Sequence, residues 1–108
     1  MASMSVEIRL PEWLKQMALP PAPASDDACM VFAVALAGEN VARRSGGPFG
    51  AVVRAEATGE VAAVGVNLAV PTGNPVLHAE VVALSLAGPA LARPGGVTLF
   101  SSCEPCIM

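Results

Sequence analysis

The sequence predicts an α/β domain in which helices cover both faces of a small sheet. Three observations carry that expectation: a capped apolar helix, two short β-compatible runs around a Thr-Gly turn, and a strand–helix–strand step after them. A strand that passes through a helix into another strand implies a parallel crossover, and such a sheet needs cover on both faces. The 108 residues support one domain. With 54 % hydrophobic and 14 % charged residues, the chain is too apolar to be a solvating disordered tract.

Residues 1–24 read as a Pro-rich leader, poorly ordered or laid over an apolar surface of a partner. Trp13, Leu14 and Met17 suit one short amphipathic turn, which Pro20, Pro21 and Pro23 break. Residues 25–108 form the body of the domain. Ser25 is a good N-cap, and Asp26 and Asp27 suit the positive end of a helix dipole. Met30, Val34, Ala37 and Val41 recur at helical spacing, and Arg43-Arg44 precede the Ser45-Gly46-Gly47 break, so a first helix is expected near 25–44. Cys29 falls inside it and reads as a small core hydrophobe.

Residues 49–55 and 61–67 form an expected antiparallel hairpin around Thr58-Gly59. Val70 to Gly73 reads as a loop. Asn74 followed by Pro75 is a helix-start signal, so a second helix is expected over 75–87, stopped by Gly88-Pro89. Past the Arg93–Gly96 turn, a third strand is expected at 97–101, parallel to the first, and Pro105 suits the first turn of a further helix.

Charge and cysteine usage narrow the function. A formal net charge of −3 without a clear basic stripe disfavours nucleic acid as a partner. The longest apolar stretch, Ala28 to Ala37, falls well short of the ~20 residues of a membrane span, so no membrane role is expected. The opening MASMSVEIRLPEW has no apolar core of a secretory signal, which points to the cytoplasm. Three cysteines are an odd count for a disulfide framework.

His78, Glu80 and the Cys103/Cys106 pair carry the chemistry. His78-Ala79-Glu80 falls in the expected first turn of the second helix, where both polar side chains reach a ligand beyond the helix N-terminus. Cys106 sits at another expected helix start, where a thiolate is stabilised. An imidazole, a thiolate and a nearby non-ligating carboxylate are what a catalytic zinc site requires. Each feature alone is weak: a lone first-turn histidine is more often structural, and C-x-x-C has many meanings. Together, HAE at one helix start and EPC at another match the H-x-E…P-C-x-x-C pattern of zinc deaminases acting on nucleobases.

On these residues the chain resembles the cytidine deaminase-like superfamily, in its guanine deaminase and tRNA adenosine deaminase branch. The resembling segments are GGPFGAVV (Gly46 to Val53), GVN (Gly65 to Asn67), NPVLHAEVVAL (Asn74 to Leu84) and LFSSCEPCIM (Leu99 to Met108). The resemblance implies a three-layer α-β-α cytidine deaminase-like fold, Zn2+ as cofactor, and a purine base or nucleoside as substrate. Its GGPFG and SSCEPC wording looks more like guanine deaminases, which would make the reaction guanine to xanthine and ammonia. Residue by residue, it implies His78 and Cys106 as zinc ligands, Glu80 as the proton shuttle, Asn67 at the edge of the base, Phe49 as the pocket aromatic, and Ala79 among the substrate contacts. For Phe49 core packing at a strand start is an equal reading, and for Asn67 a turn role competes.

One departure matters. The family pattern continues to a second cysteine three residues after Cys106, whereas this sequence stops at Met108. The chain therefore reads as the front portion of the domain, C-terminally truncated, with the third strand left at an exposed edge. Cys103 is a candidate replacement ligand, but it precedes Pro105 and is out of the family register. Two ligands are too few for zinc catalysis, so the chain as given is expected to be inactive or nearly so. Competing expectations are a tRNA-specific adenosine deaminase-like protein, and an inactive fragment that pairs with another chain. For a complete domain the resemblance implies a homodimer.

Overall fold

The computed structural model describes residues 4–103. After the short α1 (Glu12–Lys15) come α2 (Asp26–Ala42), β1 (Gly50–Ala55), β2 (Val61–Val66), α3 (Ala69–Thr72), α4 (Ala79–Ala87), a 3-10 turn (Gly88–Ala92) and β3 (Val97–Ser101). The three strands are ordered β2-β1-β3. Side-chain alternation sends Val52, Val64, Val66 and Phe100 towards α2, and Ala51, Val53 and Ala63 towards α4. This is the expected three-layer arrangement, with α2 on one face and α4 on the other.

α2 matches its expected span, and the Ser25 hydroxyl accepts the Ala28 N–H at 3.0 Å. Its buried face differs from the stripe that the large residues suggest. Met30, Val34 and Val41 are exposed, whereas Cys29, Ala33, Leu36, Ala37 and Asn40 face the sheet. The reason is close approach. A Cβ on Gly50 would lie 2.2 Å from the Ala33 carbonyl oxygen, and one on Gly65 would lie 2.4 Å from that of Ala79. Each helix thus presses its backbone onto a strand at a glycine, and only small side chains fit the seam.

Two expectations on topology and boundary are corrected. β3 runs antiparallel to β1, with Ala51 opposite Ser101 and Ala55 opposite Val97. β1 is also antiparallel to β2, Gly50 facing Val66, so the two strands joined through α4 do run in the same direction, with β1 between them. The crossover is present, but the strand parallel to β3 is β2. The second correction concerns α4, which begins at Ala79 with His78 as its N-cap, four residues later than the Asn74-Pro75 signal suggests. Asn74 instead closes a turn, its Oδ1 accepting Val76 N–H at 3.0 Å. The Leu77 carbonyl, which a helix from Pro75 would use internally, is taken by Leu68 N–H at 2.9 Å. Of the loop expected at Val70 to Gly73, residues 70–72 lie in the single turn α3 and Gly73 caps it.

The segment expected to be a leader packs onto the body. Leu14 is buried, with Ile8, Leu10, Trp13 and Met17 against the same core. The covalent tether makes this a local surface to cover, so an isolated turn too short to be stable alone is held by packing.

Arg54 ties these layers together on the α2 face. It bonds Asp26 at 2.8 Å, Glu56 at 2.9 Å and the Ala24 carbonyl at 3.0 Å, with its guanidinium 4.9 Å from the Phe100 ring centroid. Thr98 Oγ1 donates to Glu56, and this bond, then Arg54, holds the Glu56 carboxyl below its ordinary range. A carboxyl depressed in the folded state contributes stability above its unfolded pKa and loses it as pH falls through the folded value. Thermal melts should therefore show wild-type stability dropping below about pH 4.5. Glu56→Gln should be less stable at pH 7 and flatter in acid. Equal acid slopes in the two proteins would refute this.

Candidate functional site

One end of the sheet collects the residues singled out from the sequence. Because β1 opposes both neighbours, its start lies at the same end as the exits of β2 and β3. Phe49 precedes β1, Asn67 follows β2, and Cys103 follows β3. α4 begins at the same end, anchored by the Leu68–Leu77 bond and by the contact of Ala79 with Gly65. The two strand exits are not neighbours: β1 separates them by two strand spacings, roughly 10 Å. A partner arriving after β3 must bend over the start of β1 to meet His78.

His78 and Glu80 stand together at the start of α4. His78 Nδ1 lies 3.7 Å from Glu80 Oε1, with the side chains 25 % and 14 % exposed. That separation is longer than a direct hydrogen bond. Ala79 between them is fully buried, its side chain packed against the sheet.

Asn67 and Phe49 face each other across Gly47. The first atoms a Cβ on Gly47 would meet are Phe49 ring carbons at 3.4 Å and Asn67 Cγ at 3.7 Å. Phe49 is 37 % exposed, which suits a pocket wall better than a core residue. Asn67 Oδ1 accepts Ala69 N–H at 3.1 Å. That bond orients the amide. An open hollow of about 380 Å³ lined by Arg44, Gly46, Gly47, Val70 and Pro71 adjoins this loop.

Cys103 is exposed at the end of β3, and its N–H is 3.4 Å from Ser101 Oγ. Cys106, with Glu104 and Pro105, lies outside the described residues. Among the described residues, no three His, Cys, Asp or Glu side chains converge as a metal centre. His78 nonetheless offers one imidazole nitrogen to a zinc ion, with the Glu80 carboxylate beside it.

Sequence reasoning missed three residues that shape this end. Asn40 is fully buried, and its Nδ2 donates to the carbonyls of Gly47 at 2.9 Å and Asn67 at 3.0 Å. Ser102 ties the exit of β3 to β1: its Oγ accepts Gly50 N–H, and its own N–H donates to the Gly50 carbonyl, both at 2.9 Å. Gly46 has no room for a side chain, since a Cβ would fall 2.1 Å from the Asn67 carbonyl oxygen. The signal for Asn40 was available: a polar residue in register with Cys29, Ala33 and Leu36 on the small-residue face of α2.

Comparison with known proteins places the chain by family and fold. Residues 23–108 match the family model of the cytidine and deoxycytidylate deaminase zinc-binding region. The chain is 41 % identical over 78 residues to the guanine deaminase of Bacillus subtilis, a match covering 70 % of this chain and 49 % of that protein. It superposes on the structure of the Nitrosomonas europaea guanine deaminase with a TM-score of 0.83 and 34 % identity, covering 100 % of this chain and 63 % of that one. A solved variant of the protein NE0047 in complex with 8-azaguanine gives a TM-score of 0.79 at 32 % identity, covering 98 % and 62 %. The chain thus spans about half the length of the curated relative and less than two thirds of these solved structures.

Proposed function

The chain belongs to the family of the cytidine and deoxycytidylate deaminase zinc-binding region, and from that premise we propose that it supplies the base-binding and proton-transferring residues of a zinc-dependent purine deaminase, with guanine as substrate. The observation that carries the reading is the grouping of Phe49, Asn67, His78 and Glu80 at one sheet end. His78 and Cys106 would hold the zinc, with Cys103 as the out-of-register substitute. When bound, zinc supplies Lewis acidity that brings the pKa of a water near neutrality.

The chain's own residues do the rest. Phe49 stacks on the base, and the oriented Asn67 amide donates to its edge. Donors suit the N7 and O6 acceptors of guanine, whereas adenine offers an amino group in place of O6. This favours guanine over adenosine, and the net charge of −3 favours a small substrate over tRNA. Glu80 takes one proton of the attacking water and gives it to the ring nitrogen, then takes the proton of the added hydroxyl and gives it to the leaving amine. The new C–O bond replaces the C–N bond, and guanine plus water becomes xanthine plus ammonia. The 8-azaguanine bound by the solved relative is consistent with this substrate class.

The test is metal retention and ligand binding. After incubation with Zn2+ and gel filtration, the wild-type protein should keep zinc and His78→Ala should lose it. Calorimetric titration with 8-azaguanine should show binding to the zinc-loaded wild type and none to Gly47→Ala, whose methyl group would stand between Phe49 and Asn67. Zinc retained equally by His78→Ala, or adenine bound as tightly as guanine, would overturn the reading.

A further inference from the structure

We propose that Trp13, Ser45 and Asn40 form a one-way hydrogen-bond relay through which the N-terminal segment sets the separation of Gly47 from Asn67. Trp13 precedes the family-matched region, which begins at residue 23. Its Nε1–H donates to Ser45 Oγ at 2.9 Å, and Ser45 Oγ–H donates to Asn40 Oδ1 at 2.8 Å. Asn40 Nδ2 then donates to the Gly47 and Asn67 carbonyls. The direction is forced. An indole N–H only donates, so Ser45 must accept from it, and the single hydroxyl proton then goes to Oδ1, the nearer of its two acceptors, the Asn40 carbonyl lying at 3.3 Å. With Oδ1 engaged, both amide protons point at the two carbonyls.

Geometry leaves little slack in this arrangement. Gly46 is pressed against both Asn67 O and Asn40 Nδ2, and Asn40 is fully buried, so an unmade bond there has no water to replace it. Phe49 shares the same frame, because its N–H bonds the Gly47 carbonyl at 2.9 Å and its carbonyl accepts Asn67 N–H at 3.2 Å. Trp13 is itself held from α2, the Arg43 guanidinium standing 5.7 Å from its ring centroid. Trp13, Ser45 and Asn40 are positioning residues, and their role in base binding rests on the pocket reading above.

Amide resonances and hydrogen exchange of the 108-residue chain test the relay without ligand or activity. Trp13→Phe keeps a ring and removes only the N–H donor, and Ser45→Ala breaks the middle link. Both should shift the Gly47, Phe49 and Asn67 amide resonances and speed Phe49 and Asn67 exchange about fivefold, as loss of one net hydrogen bond would. Ser45→Thr, which retains a hydroxyl, should restore the wild-type pattern. Shifts confined to residues touching Trp13 and Ser45, or no rescue by threonine, would overturn the relay. In zinc-loaded protein, Trp13→Phe should weaken 8-azaguanine roughly fivefold with zinc content unchanged. Equal 8-azaguanine affinity in both proteins refutes the relay's link to the pocket. Absence of 8-azaguanine binding in the wild type refutes the pocket reading alone, since the amide shifts decide the relay independently.

Discussion

Replacing Gly65 by alanine will push α4 away from the sheet and carry the candidate site with it. The new methyl carbon would fall 2.4 Å from the Ala79 carbonyl oxygen and 2.6 Å from the Ala83 nitrogen. Both are backbone atoms, so no rotamer change can relieve the overlap, and helix or strand must move. Overpacking of this kind costs roughly 3 kcal/mol, a large share of the stability of a small domain. Because Ala79 lies between His78 and Glu80, both move with α4 away from Phe49 and Asn67. Gly38→Ala is the control: it lies inside α2 with open space around its Cβ, and should stabilise by about 0.5–1 kcal/mol. Urea unfolding of the two variants should move in opposite directions from wild type. A Gly65→Ala midpoint equal to the wild-type value would show that the two layers are not in backbone contact.

In a protein extended to the family's second cysteine and the elements after it, Glu80→Gln should abolish guanine deamination while leaving the zinc content unchanged. The substitution keeps shape and hydrogen-bonding capacity but cannot accept and return a proton. General acid–base catalysis of this type contributes on the order of 10²- to 10⁴-fold, and ammonia release should fall by about that factor. Asn67→Ala should act differently, weakening 8-azaguanine binding while Glu80→Gln leaves it intact. Loss of zinc on Glu80→Gln would mean that the carboxylate is a ligand, and an unchanged rate would remove it from the mechanism.

The helix–hairpin–helix–strand order was legible because each element carries a local signal. Ser25 and the acidic first turn mark α2, Thr58-Gly59 marks the hairpin, and Gly88-Pro89 marks the end of α4. The start of α4 was not legible. Asn74-Pro75 is a sound local start signal, but Leu68 claims the Leu77 carbonyl from across the loop, and that competing bond exists only once β2 is in place. The buried face of α2 escaped for a related reason. Apolar periodicity favours Met30, Val34 and Val41, whereas backbone contact at Gly50 selects the small residues on the adjoining face.

By itself, then, the sequence determined most of the element types, because caps and breakers act within a few positions. Tertiary structure decided their arrangement. β3 settles antiparallel to β1 because the hairpin reverses β1 relative to β2, and the crossover through α4 then returns in the direction of β2. That reversal brings Phe49, Asn67 and Cys103 to one end of the sheet although they are far apart in the chain. Asn40 is the clearest case. Its register with Cys29, Ala33 and Leu36 marks a buried face, but it becomes a clamp on Gly47 and Asn67 only when burial removes water and leaves those two carbonyls as its acceptors.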